Sequence, residues 1–134
     1  MTAGYSATLL PKKLGIREGF RVTLLGAPAG FDLGQLPAGV RVVRRRGGAD
    51  AEVILLFCPR LAVLADRLAP LADSLARTGA LWVCWPKKAS GLQTDLGEGT
   101  VRERGLAVGL VDVKVAAIDD TWSGLKFVRR LADR

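Results

Sequence analysis

The fold is decided by the stretch Leu81-Trp82-Val83-Cys84-Trp85-Pro86-Lys87-Lys88-Ala89-Ser90-Gly91. Its first five residues are apolar and predict a buried strand. Proline has no N–H to donate to a neighbouring strand, so this strand is expected to end at or before Trp85. Two lysines, a serine and a glycine follow and predict a loop. Ligands of open α/β sheets bind beside the carboxyl ends of such strands, so the sequence predicts a ligand site in this loop.

Apolar periodicity on both sides of this stretch predicts further strands and helices. Strands are expected at residues 21–25, 40–43, 53–58, from 110 onward and at 125–129. Helical segments are expected at residues 9–14, 31–36 (a brief helix or turn), 59–78, and from Thr94 or Asp95 to about Val108. Pro70 predicts a kink in the third of these segments, or the start of another helix. The link of about eight residues between the second and third strands leaves their relative direction open.

The fifth strand has an apolar period of two, which predicts one solvent-exposed or peripheral face. Val111, Val113 and Val115 are expected on one face, and Asp112 and Lys114 on the other. No linker, repeat or composition break divides the chain. Residues 1–134 therefore predict a single α/β domain. It is a small three-layer, Rossmann-like fold with a mostly parallel sheet and an antiparallel C-terminal edge strand.

Composition excludes several classes of function. Histidine is absent, which removes the Ser-His and Cys-His nucleophile systems and the commonest metal ligand. Cys58 and Cys84 lie in apolar segments without motif spacing, so neither a disulfide nor a metal site is predicted. The N-terminus has no apolar leader, and the apolar runs fall far short of the roughly 20 residues of a membrane span. We therefore expect a cytoplasmic protein without membrane contact.

The formal net charge of +7 permits binding to nucleic acid, to an acidic partner or to a small phosphorylated ligand. The basic residues occur as pairs and one triplet (Lys12-Lys13, Arg44-Arg45-Arg46, Lys87-Lys88, Arg129-Arg130) without interleaved aromatic residues that would stack bases. Nucleic acid is therefore the less favoured partner, and the oligomeric state is left open.

Three distant turns are expected to meet if the first, fourth and fifth strands run parallel. They are residues 26–31, 85–95 and 119–124, each following the carboxyl end of a strand. The candidate ligand-binding residues of these turns are Trp85, Lys87, Lys88, Ser90, Gly91, Thr94, Asp119, Trp122 and Ser123.

Each candidate side chain also has a structural interpretation. Lys87 and Lys88 suit a phosphate or carboxylate, with N–H donors from the following turn, but lysines in loops are commonly only solvated. Asp95 is interpreted as a helix cap. Trp85 and Trp122 either form an aromatic wall for a ring or close the edge of the core.

The glycine-containing loop at residues 26–30 follows a strand, as a dinucleotide-binding loop does. It lacks the G-x-G-x-x-G spacing, and Pro28 removes an N–H donor. The second strand ends in arginines rather than in the acid that would bind a ribose, so no nucleotide cofactor is predicted.

Several segments together resemble a bacterial family known only as domain of unknown function three thousand and fifty-two. The most specific are Trp85-Pro86-Lys87-Lys88-Ala89-Ser90-Gly91 and Asp120-Thr121-Trp122-Ser123-Gly124. More distantly, the order of elements is similar to that of the class I methyltransferase fold. That resemblance implies S-adenosylmethionine binding. The sequence departs from the pattern at three points: the first loop has no glycine triplet, the second strand has no acid at its end, and one strand–helix unit is missing.

We expect a non-catalytic module that binds an anionic ligand or a partner, with no assigned catalytic residue, cofactor or metal. One alternative is a degenerate methyltransferase-like or phosphate-handling enzyme. The other is a nucleic-acid-binding module.

Overall fold

The computed structural model describes residues 9–44 and 50–134. Within these residues the strands are β1 (Arg21–Leu25), β2 (Arg41–Val43), β3 (Val53–Phe57), β4 (Ala80–Pro86), β5 (Leu110–Ala117) and β6 (Trp122–Arg129). The helices are α1 (Leu10–Lys13), α2 (Leu61–Ser74) and α3 (Glu98–Ala107), with 3₁₀ turns at Lys88–Ser90 and Leu131–Asp133. Residues 1–8 and 45–49, which include Arg45 and Arg46 of the basic triplet, lie outside the described part.

The strands form one sheet in the order β2-β1-β3-β4-β6-β5. β1 pairs in parallel with both β2 and β3, and β3 pairs in parallel with β4. The direction of β2 and β3, which the sequence left open, is therefore parallel. β6 is antiparallel to both β4 and β5, so β5 runs in the same direction as the first four strands. The predicted α/β class, with a mostly parallel sheet and an antiparallel last strand, is confirmed. β6 lies second from the edge because it inserts between β4 and β5.

The two faces of the sheet are covered differently. α2 and α3 pack on one face, which we call the helical face, through residues such as Leu64, Leu68 and Val101. The other face, the loop face, is covered by α1 and by the irregular segment 26–40, with Leu14 and Phe31 in its core. β4 is buried on both faces, so the apolar stretch that decides the fold is its central strand.

At two predicted helical segments the structure excludes one of the alternatives that the sequence left open. α2 continues through Pro70 as one helix. Proline has no N–H for the carbonyl of Asp66, but both residues are exposed, so this carbonyl can bond water instead. The Ser74 hydroxyl donates to the Pro70 carbonyl. Residues 31–36 form no helix. Asp32 instead accepts a hydrogen bond from the Gly34 N–H, at 2.8 Å, in a local bend.

β4 includes Pro86, one residue beyond the predicted end. The Cys84 carbonyl accepts the Cys58 N–H from the β3 side. The backbone nitrogen of Pro86, two residues later, faces the same side. Because β3 has already ended at Phe57, no strand carbonyl there needs an N–H donor from Pro86. On the other side Pro86 pairs with Trp122.

The predicted alternation of β5 is wrong, because the register shifts between Asp112 and Lys114. Asp112 pairs with Phe127 on the helical face, where Arg102 of α3 bonds it at 2.9 Å. Lys114 lies 5.9 Å from the centre of the Trp82 ring, on the loop face. The inserted residue of this β-bulge sends the two side chains to opposite faces.

The two cysteines are buried, as their apolar segments predicted, and both are free thiols. Cys58 belongs to the core of the helical face and Cys84 to that of the loop face. Burial raises the pKa of the Cys58 thiol to about 12 and raises the pKa of Cys84 as well. Both are therefore protonated at neutral pH and unsuited to act as nucleophiles. No helix in the described ranges is long and apolar enough to cross a membrane.

Candidate functional site

The turns after β4 and β5 meet at the carboxyl edge of the parallel strands. The Lys87 N–H donates to the Thr121 carbonyl at 2.8 Å, directly after the pairing of Pro86 with Trp122. The turn between β5 and β6 is shorter than predicted, because Trp122, Ser123 and Gly124 already belong to β6. Lys87 and the Trp122 end of the hairpin thus lie on the same rim.

A row of aromatic rings brings the segment after β1 to this edge. The ring of Phe57, the last residue of β3, lies 4.9 Å from that of Phe31 and 5.1 Å from that of Trp122. Both contacts are edge-to-face, the geometry that aromatic pairs prefer. The segments after β1, β4 and β5 therefore meet, as the assumed strand directions required.

The two lysines are available to solvent. Lys87 is half-buried and Lys88 is exposed at the start of the 3₁₀ turn. Neither belongs to an ion pair among the residues that the structure describes. Their ammonium groups therefore have no carboxylate partner in the described part of the chain and can meet an anion at this edge.

The Ser90 hydroxyl shapes the loop. It donates to the Lys87 carbonyl at 2.6 Å and accepts the Leu92 N–H at 3.2 Å. Gly91 follows with φ of 79°, a left-handed conformation that favours glycine. Ser90 is therefore held in a turn, with its proton already donated to a backbone carbonyl.

Thr94 and Asp95 fasten the same loop to the start of α2. The Thr94 hydroxyl donates to the Pro59 carbonyl at 2.7 Å, and Asp95 accepts the Leu61 N–H at 2.7 Å. Asp95 is a helix cap, but of α2 rather than of the helix that follows it. α3 begins at Glu98, with Gly97 as its N-cap, two residues after Asp95 and three after Thr94, the two predicted caps. Its N-cap provides no side-chain bond, so the sequence pattern misplaced the helix start.

Asp95→Ala is expected to lower the free energy of unfolding by about 1 kcal/mol, because an exposed cap of this kind contributes about that much. Asp95→Asn retains an acceptor oxygen and is expected to lose less. Urea unfolding measures both, and Asp66→Ala, in the exposed middle of α2, is the control. Equal losses at positions 95 and 66 would contradict the capping role.

Asp119 also has a structural role. Its carboxylate accepts the N–H groups of Thr121 and Trp122, both at 2.8 Å, and so forms the tight turn between β5 and β6. Asp120 is exposed beside it. One oxygen of Asp119 is thus committed to the backbone.

The two tryptophans do not form a common wall. Trp85 is buried in the core of the helical face and Trp122 in that of the loop face, each 6% exposed. Ser123 pairs with Trp85 across β4 and β6 and is half-buried. Both tryptophans close the edge of the core, which was the second interpretation of their position.

An open groove of about 570 Å³ lies at the carboxyl ends of β1 and β3 and was missed by the sequence analysis. Its lining residues are Gly26, Phe57, Pro59, Ala62, Val63, Asp66 and Arg67. β2 and β3 lie on opposite sides of β1, so the strand order reverses here. Such a switch point is where ligands of open α/β sheets bind.

Two features keep the groove open and place it beside residues 87–95, which we call the lysine loop. At Gly26, φ is 71° and an added Cβ would lie 3.0 Å from the Phe57 carbonyl oxygen, so this part of the wall stays bare backbone. The bonds of Thr94 and Asp95 to Pro59 and Leu61 hold the lysine loop against the same end of α2.

The comparisons with solved structures concern the fold. A TehB-like SAM-dependent methyltransferase from Corynebacterium glutamicum has a TM-score of 0.56 and 13% identity, covering 84% of this chain and 82% of that one. A SAM-dependent methyltransferase from Aquifex aeolicus gives 0.56 and 15%, over 87% and 85%. Magnesium protoporphyrin IX methyltransferase from Synechocystis, with bound SAH, gives 0.59 and 14%, over 84% and 75%. The fold is methyltransferase-like.

No family model and no curated protein matches the sequence. Kinship with the uncharacterised bacterial family therefore stays a prediction.

The residues at the switch point fit S-adenosylmethionine, the ligand that this fold implies, poorly. β1 leads into an irregular segment rather than a helix, and Pro28 in it has no N–H. β2 is followed by Arg44, whose guanidinium donates to the Phe31 carbonyl at 2.9 Å. A cation therefore lies near the position where a carboxylate would accept hydrogen bonds from a ribose.

Proposed function

We propose that this protein is a non-catalytic binding module on a methyltransferase-like fold. Its ligand is a small anionic molecule that lies in the switch-point groove and turns its negative charge toward the lysine loop. The observation that carries the proposal is that the cationic and the other polar side chains of this edge differ in their hydrogen-bond and ion-pair partners. Lys87 and Lys88 belong to no ion pair among the described residues, while the hydroxyls of Ser90 and Thr94 and the carboxylate of Asp95 are bonded to backbone groups.

Cations on both sides of the groove support an anionic ligand. Arg67 lines it, and Lys87 and Lys88 lie in the adjoining loop. Asp66 also lines it, so its charge is mixed rather than uniformly positive. An ammonium group binds phosphate and carboxylate mainly as a point charge, which suits a ligand of modest affinity.

The chemistry of the neighbouring side chains supports a binding role rather than a reaction. A nucleophile needs a lowered pKa or a nearby base. Ser90 and Thr94 donate their protons to backbone carbonyls, and the pKa of Cys58 is raised rather than lowered.

A degenerate methyltransferase is the second candidate, because the similar structures are those of SAM-dependent methyltransferases. It differs from the first in its ligand, since it requires S-adenosylmethionine to bind at the groove. The poor fit of Pro28 and Arg44 makes it the weaker of the two.

Titration with ATP, pyrophosphate and S-adenosylmethionine separates the candidates, with the melting temperature and calorimetry as readouts. We expect ATP or pyrophosphate to raise the melting temperature. The double variant Lys87→Ala/Lys88→Ala should abolish this rise. The melting temperature of the free protein should change little, because neither side chain forms an ion pair with a described residue.

The matched control removes two exposed arginines from the opposite side of the molecule, as Arg104→Ala/Arg130→Ala. It has the same net charge as the lysine variant and should keep the ligand-induced rise. If both variants lost the ligand-induced rise equally, the rise would reflect only the net positive charge of the protein, and the lysine loop would not be the ligand site. Micromolar binding of S-adenosylmethionine without binding of the phosphates would favour the methyltransferase candidate.

A further inference from the structure

Two lysines face each other directly on the loop face of the sheet. Lys114 of β5 and Lys126 of β6 are cross-strand partners. Directly opposed like charges destabilise an antiparallel pair, whereas a lysine opposite a carboxylate stabilises it. The pair therefore costs stability in the isolated molecule.

A third lysine lies beside this pair. The Lys13 ammonium donates to the Ala117 carbonyl at the end of β5, at 3.2 Å. Lys126 also lies near the end of α1, because its Nζ is 3.7 Å from the position that a Cβ on Gly15 would take. Lys13, Lys114 and Lys126 together form what we call the lysine face.

Acidic side chains do not balance the lysine face within the described ranges. None of the ion pairs there includes any of its three lysines. Burial and the charge of Lys114 lower the pKa of Lys126, and no carboxylate of the described residues counteracts them. An unbalanced cluster of this kind is the complement of an acidic surface.

The surface around the lysines is partly apolar. Val111 and Val128 form the next cross-strand pair, and both are half-buried, as is Ala116 on the other side. α2 and α3 lie on the opposite face, so no helix of eight or more described residues covers this part of the sheet. Sheets of α/β proteins bury both faces against helices.

We propose that an acidic amphipathic helix of a partner protein packs across β5 and β6 on the lysine face. Its apolar side would cover Val111 and Val128, and its acidic side chains would pair with the three lysines. This interaction is separate from the ligand site at the carboxyl edge.

The charges argue for a different protein as the occupant. A second copy bound through the same face would place the lysines against each other, which costs energy. A nucleic acid would lack a stacking platform, because Trp82 beneath Lys114 is fully buried.

The test uses a synthetic amphipathic peptide of about 18 residues, long enough to form a helix, with leucines on one side and glutamates flanking them. Amide shifts in the ¹H–¹⁵N spectrum of the whole protein report where it binds. We expect shifts at Val111, Lys114, Lys126 and Val128. The variant Lys114→Gln/Lys126→Gln should bind about tenfold more weakly, since it loses two partly exposed ion pairs.

Arg60→Gln/Arg104→Gln removes the same charge from exposed positions at α2 and α3, on the opposite side of the sheet, and should retain the affinity. Because the lysine variant removes a repulsion, it should stay folded, and its dispersed spectrum checks this. The proposal is overturned by an equal loss in both variants, by peptide shifts confined to other surfaces, or by the absence of peptide binding. Preferential binding of a DNA duplex at these residues would also overturn it.

Discussion

Gly105→Ala is expected to lower the free energy of unfolding by about 2 kcal/mol, although alanine is the better helix former. A Cβ at position 105 would lie 2.0 Å from Cε1 and 2.3 Å from Cζ of Phe127. The Phe127 ring is fully buried, so it has no open space to move into. Overpacking of a core costs about 1–3 kcal/mol, and so severe a clash belongs at or beyond the upper end. The gain in helix propensity of about 1 kcal/mol offsets only part of it.

Gly99→Ala is the matched control, because it lies in the same helix and an added Cβ would meet no atom within 4 Å. It should leave the stability unchanged or raise it by up to about 1 kcal/mol. Guanidinium unfolding of both variants measures the difference. If Gly105→Ala were as stable as Gly99→Ala, the close approach of α3 to β6 would be wrong.

Ala62→Trp is expected to weaken ligand binding by about a hundredfold, which corresponds to about 2.7 kcal/mol. Ala62 is exposed on the first turn of α2 and lines the switch-point groove. An indole there would occupy the space that the ligand needs while leaving the core untouched. Calorimetric titration with whichever phosphate compound stabilises the protein measures the loss.

Ala65→Trp provides the control, since Ala65 is exposed on the same helix but does not line the groove. It should bind as the unchanged protein does. Equal affinities for both tryptophan variants would place the ligand outside the groove, even if the Lys87→Ala/Lys88→Ala variant had lost binding.

The sequence predicted the positions of β1 to β4 well, because each is a short apolar run with glycine or proline within two residues of an end, whereas β6 begins three residues earlier than expected. β1 begins and ends where expected, and β4 is one residue longer at its carboxyl end. The meeting of Lys87 with the hairpin also followed from the sequence, since it required only that β1, β4 and β5 run parallel. These features depend on local patterns and on one general rule of α/β sheets.

Features that depend on contacts between distant residues were not predictable. Asp95 has the spacing of a cap for α3, yet it bonds Leu61, 34 positions earlier in the sequence. The β-bulge before Lys114 does not change the apolar alternation of the sequence. It does place Lys114 on the opposite face of the sheet from Asp112, where the alternation predicted the same face. The groove at Gly26 could not be located because it depends on the strand order, which the open direction of β3 left undetermined.

Glycines show the same limit. The glycine content of α3 reads as a weak helix, because glycine has a low helix propensity. Gly105 is instead a packing requirement set by Phe127 of β6. Only the three-dimensional neighbour distinguishes it from Gly99, where space is open.

The central claim is that a small anionic ligand lies at the carboxyl edge, between the switch-point groove and the lysine loop. A ¹H–¹⁵N spectrum of the unchanged protein titrated with ATP tests it most directly. We expect progressive amide shifts at Gly26, Ala62, Lys88 and Gly91, with the lysine face unaffected. Shifts absent from these amides at saturating ATP, or confined to Lys114 and Lys126, would contradict it.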